Sequence, residues 1–149
     1  MTKRTSFIIS FLLPFILAGC QKDDKVYREL IEGEWGKQLY DKINGDVGFT
    51  KVHFKDDGYY DFFVRRGDTI DRCDQVAPQH MQSDSLRYYI EDGNLFKQDP
   101  YAKQENIIEY RILKLNENKL NIVVADRGNN QSVSDRLSEH EIFQSCGDE

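Results

Sequence analysis

No run of apolar residues in this 149-residue chain is long enough to cross a bilayer. The longest, Phe7 to Leu17 (FIISFLLPFIL), has eleven residues, whereas a membrane helix needs roughly 17–25. Positive charge is also scarce, with 20 Lys and Arg against 26 Asp and Glu. The formal charge of −6 becomes −8 once Lys3 and Arg4, the charged residues of the first nineteen, are set aside. Such a chain repels phosphate backbones, so nucleic acid is not an expected partner. The three histidines, His53, His80 and His140, form no H-E-x-x-H motif and no close pair, which argues against zinc. Asp68, Asp71, Asp74 and Asp84 crowd one segment without the spacing of a calcium loop. No Gly-rich phosphate loop, nucleophile elbow or paired-carboxylate motif stands out. We therefore expect no metal, no cofactor and no enzymatic activity.

What is present begins with an address. Met1 to Ser6 is a short basic head, the apolar run follows it, and the sequence turns polar at Gln21. That order describes a secretory signal. Leu17-Ala18-Gly19-Cys20 resembles the lipobox of bacterial lipoproteins, in which cleavage precedes a cysteine that receives lipid. The resemblance implies a signal peptide over residues 1–19 and palmitate-type acyl chains on Cys20. Two or more such chains give stable anchoring, at roughly 0.8 kcal/mol per buried methylene. Residues 20–25 would then be a lipidated acidic tether. Gln21-Lys22-Asp23-Asp24 is similar to the export signal that places some Gram-negative lipoproteins on the outside of the outer membrane. Cell-surface display is the expectation, with the periplasmic face as the alternative.

From residue 26 to 149 the pattern is that of one domain, which at this length can bury a real core. Asp24 is placed to cap a short helix from Lys25 to Ile31, with Val26 and Leu30 on one face and Gly33 as its stop. Period-two alternation then predicts eight strands. They lie near 35–40, 49–54, 59–65, 85–90, 94–98, 106–115, 119–125 and 139–143. Asp57-Gly58 and Asp92-Gly93 sit between apolar runs, where glycine accepts the positive φ of a tight turn. Thr50, Val52 and Phe54 share one phase, as do Leu86, Tyr88 and Ile90. One buried and one wet face per strand points to antiparallel sheet. Phe63 after Phe62, and Leu113 with Leu115 out of phase with Tyr110, call for a bulge or bend. The expected fold is an all-β, antiparallel up-and-down barrel of about eight strands with a short N-terminal helix.

Gly33-Glu34-Trp35, after a short helix and before up-and-down strands, resembles the opening of lipocalins and of the bacterial lipocalin-like domain. The resemblance spans roughly residues 26–146. It implies that Gly33 and Trp35 open strand one and that the indole plugs the closed end of the barrel. Arg136 or Arg111 would be the arginine that packs on it.

Cys73 and Cys146 remain once Cys20 carries lipid. Outside the cytoplasm an even remainder suggests a disulfide, with two free thiols as the alternative. The bond would pin the C-terminal tail to the segment after strand three, as lipocalins often tie tail to wall. An eight-stranded barrel is either filled by side chains or holds one small ligand. For the second case Tyr60, Phe62, Leu86, Tyr88, Tyr110 and Ile122 are expected to line a cavity for a small apolar molecule. For the first, the chain would be a structural or accessory subunit of a surface protein assembly. It would act through loops such as 67–83 or 127–138.

Overall fold

The computed structural model describes residues 23–41, 43–102, 105–126 and 139–147. Helix α1 (Asp24–Ile31) is followed by β1 (Gly33–Tyr40), β2 (Val47–Phe54), β3 (Tyr59–Arg66) and β4 (Met81–Glu91). Then come β5 (Asn94–Gln98), β6 (Ile107–Asn116), β7 (Lys119–Asp126) and β8 (His140–Ser145). Each strand pairs antiparallel with its neighbour in sequence, and β8 returns to β1. The result is a closed up-and-down barrel. The signal and tether positions through residue 22, Cys20 among them, and the loop 127–138 with Arg136 lie outside the described residues.

The hairpins form where small polar residues allow them. Asp92 and Gly93 both take positive φ, 51° and 71°, which a tight two-residue hairpin turn requires. Gly58 has φ 84°, and the Asn116 side chain accepts from the backbone N–H of Asn118 and Lys119. These turns gather at one end of the barrel, and α1 packs across that end against β4 and β6.

The helix differs in detail from the sequence expectation. Asp23, not Asp24, is the cap, accepting from Lys25 N at 3.0 Å. Asp24 is instead the first helical residue, and its carboxylate accepts from Asp92 N and Gly93 N at 3.0 and 2.7 Å. Val26 is exposed, while Ile31 is buried and Tyr27 packs against the core. The face that docks is therefore Tyr27–Ile31, an i,i+4 pair. Gly33, with φ 118°, then turns the chain from helix into β1.

Inside, one apolar cluster runs from Ile31 and Trp35 to Phe143. A second, smaller cluster lies on the outside of β2 and β3, formed by Phe49, Phe63, Ile70 and Val76. It exists because segment 67–80 folds back over that face. Phe63 thus follows Phe62 because both faces of β3 are covered, and β3 also shifts register against β4 beside both residues. In β6 a shift between Ile112 and Lys114 leaves Leu113 exposed and returns Leu115 to the core. Strand β4 starts at Met81, four residues before the expected Ser85. Gln82 and Asp84 are exposed there, so the stretch reads as loop, yet it pairs with β3 at Phe62 and Phe63.

Candidate functional site

All six residues expected to line a ligand cavity lie in the main core. They belong to one packed cluster there. Phe54 packs on Tyr60 and Tyr88 with ring centroids 5.4 and 4.8 Å apart. The Tyr88 hydroxyl donates to Lys55 O at 2.5 Å, and the Tyr60 hydroxyl donates to Gln98 O. Burial pushes the Tyr88 phenol up to about 12 and raises the Tyr60 phenol well above its usual value. Both stay neutral donors. Of the six, Phe62 alone borders a space of about 20 Å3 beside Lys37, Thr50, Lys97 and Glu141.

That space lies over a charged cluster the sequence reading passed over. Lys37 Nζ is 3.2 Å and Lys97 Nζ 3.8 Å from Glu141 Oε2. Lys97 is 3% exposed and Glu141 2%. The Lys97 ammonium also sits 4.7 Å from the centre of the Tyr110 ring and 5.9 Å from that of Tyr60. Burial pushes the Glu141 carboxyl up, but the Lys37 and Lys97 ammoniums outweigh it and hold it below the usual range. Burial lowers Lys97, and Glu141 offsets this only in part. A signal for the cluster was present. Lys37 shares the phase of Trp35, Lys97 that of Leu95, and Glu141 that of Phe143, so all three point inward by alternation.

Two buried polar atoms at this space have no hydrogen-bond partner among the described residues: Thr50 Oγ1 and Glu141 Oε1. Tyr101 forms part of the rim, its ring 5.5 Å from Phe62, and Asp99 receives its backbone N–H at 2.8 Å. Burial pushes the Tyr101 phenol up to about 12. The wall is thin where β1 meets β8. Their ladder holds two register pairs, Trp35↔Ser145 and Gly36↔Gln144. Eight pairs join β1 to β2.

No family model, curated protein or solved structure matches this chain.

Outside the thin seam is a groove of about 1040 Å3, lined in part by Phe49, Arg72, His140 and the disulfide. Cys73 and Cys146 are bonded, with their Cα atoms 5.7 Å apart. The bond ties segment 67–80 to the tail after β8, and Cys146 N donates to Glu34 O at 2.8 Å. Gly36 makes room for this arrangement, since a Cβ there would fall 2.4 Å from the Phe49 ring and 2.5 Å from Cys73 Sγ.

The other candidates disperse. His80 Nδ1 accepts from Ala77 N, and His140 pairs with Asn121. Asp74 pairs with Arg72 at 2.7 Å. Among the described residues no three His, Cys, Asp or Glu side chains converge for a metal. Trp35 is buried at the α1 end and donates its indole N–H to Ile31 O at 2.7 Å, which ties strand to helix. Arg111 is exposed on β6.

Proposed function

We propose that the chain is a membrane-anchored, lipocalin-like lipoprotein of the cell envelope, held at the outer membrane by lipid on Cys20. In this reading it is a non-enzymatic accessory module with a solid barrel core that meets a surface protein partner through its loops. The observation that carries the second half is the packed interior. The space beside Lys37, Thr50 and Glu141 is about 20 Å3, whereas sites for drug-sized ligands run roughly 300–1,000 Å3. The six core residues belong to one packed cluster, which supports a solid core over a cavity for a bulky apolar guest.

The first half rests on Leu17-Ala18-Gly19-Cys20. Residue 23 lies beside α1, at the helix-covered end. A tether there leaves the opposite loop residues, 43–46, 67–80 and 99–102, facing away from the bilayer.

Metabolic labelling with radioactive palmitate in the host tests the anchor. Label is expected in the parent and absent in Cys20→Ala. Gentle crosslinking and pull-down of the intact lipoprotein tests the module, and a specific partner is expected. Native mass spectrometry of protein from its host decides between the two barrel readings. A co-purifying apolar molecule inside the barrel would replace the accessory reading with a ligand carrier.

A further inference from the structure

The charged cluster goes beyond a packed core, because a packed core does not leave a carboxylate oxygen and a hydroxyl without partners. An unmade hydrogen bond of this kind costs about 1–3 kcal/mol, more for a charged group. Something that can satisfy both atoms fits the space, and its chemistry can be read from the walls.

Glu141 Oε1 is an acceptor and nothing else. Thr50 Oγ1 donates one hydrogen and accepts others. Lys37 and Lys97 offer ammonium hydrogens, and Glu141 Oε2 is the charged partner of both. A carboxylate anion has no hydrogen for Glu141 Oε1, and any anion is repelled by it. A cation meets two ammoniums in a low-dielectric setting. An apolar group leaves both orphan atoms unsatisfied. A hydroxyl donates one hydrogen and accepts from its neighbours, so it satisfies Glu141 and Thr50 together. Size agrees for the hydroxyl alone, since a space of about 20 Å3 exceeds the roughly 10–15 Å3 that one water-sized oxygen needs, and the carbon body then lies in the opening.

Access comes through the seam. Pairing between β1 and β8 stops at Gly36↔Gln144. Beyond it Lys37, Gln38 and Glu141 border both the inner space and the outer groove. Leu39, Tyr40 and Tyr101 give the inner space an apolar and aromatic rim.

We propose that this space is a binding site for the hydroxyl of a small neutral alcohol, seated between Glu141 Oε1 and Thr50 Oγ1 with its carbon body toward Tyr40 and Tyr101. The site needs neither the lipid anchor nor a protein partner, so it stands or falls apart from the function proposed above.

Three water-soluble probes of nearly equal size test it on the full lipidated chain in micelles: ethanol, acetate and ethylammonium. Isotope-labelled protein is titrated with each and followed by NMR. Ethanol is expected to shift the signals of Thr50, Lys97 and Glu141, and acetate and ethylammonium to leave them in place. Thr50→Val is expected to weaken ethanol binding about fivefold, the worth of one hydrogen bond of about 1 kcal/mol, and Thr50→Ser to restore it. Gln38→Trp, which narrows the opening from an exposed position, gives a second loss that does not touch the cluster. Acetate or ethylammonium binding as well as ethanol would overturn the assignment. So would ethanol leaving those three residues unmoved at saturation, which would mean that water alone occupies the space.

Discussion

Replacing both Cys73 and Cys146 by alanine removes a cross-link between residues 73 apart in sequence. In the chain-entropy account a loop of that size restrains the unfolded ensemble by about 4 kcal/mol. The folded state loses something as well. The bond holds segment 67–80 over Phe49 and Phe63, and Ile70 and Val76 contribute to that cluster from the segment itself. It also secures the tail beside β8, whose ladder with β1 has only two register pairs. A domain of this size shifts its melting point by about 3–5 °C per kcal/mol. The double variant is therefore expected to melt about 15 °C lower by circular dichroism. Its urea m-value is expected to rise, because an uncross-linked unfolded chain exposes more surface. A melting point within about 5 °C of the parent, with an unchanged m-value, would refute the reasoning, since both effects derive from the same lost constraint.

Glu141→Leu strands the buried Lys97 ammonium and the partly buried Lys37 ammonium and is expected to cost about 3–5 kcal/mol in urea denaturation. The same carboxyl is held below its ordinary value of 4.5 in the fold. Its contribution is thus present above that pH and lost as pH falls through the folded value. Parent stability is expected to drop in that acid range, and Glu141→Gln to show a smaller drop there. Trp35→Phe leaves the buried Ile31 carbonyl without its indole donor and is expected to cost about 1–3 kcal/mol by the same assay. Gly48→Ala places a Cβ 2.2 Å from the Arg65 backbone oxygen. Overpacking against backbone costs about 1–3 kcal/mol, so a melting curve equal to the parent's would contradict the β2–β3 geometry.

The Asp-Gly pairs at 57–58 and 92–93 announced their hairpins because positive φ has a local chemical signature. Leu86, Tyr88 and Ile90 announced an inward face because alternation is also local. Phe49 and Phe63 did not announce the second cluster. What covers the outer face of a strand depends on where segment 67–80 comes to rest. The start of β4 was hidden for a similar reason. Gln82 and Asp84 look like loop residues, and their strand state comes from pairing with β3. The charged cluster was legible but unread. Lys37, Lys97 and Glu141 stood at inward positions, and their meaning came only from finding all three on one side of the barrel interior.

Asp24 holds both backbone N–H groups at the tip of the β4–β5 hairpin. This gives the barrel a direction of mechanical strength. Traction on the chain ahead of residue 23 reaches a helix that is clamped to a distant hairpin and, through Trp35 and Ile31, to the first strand. The load divides between two staves instead of peeling one away from its neighbour. Drag on the globule is then borne without loosening the wall between β1 and β8, where the barrel has the least to hold it.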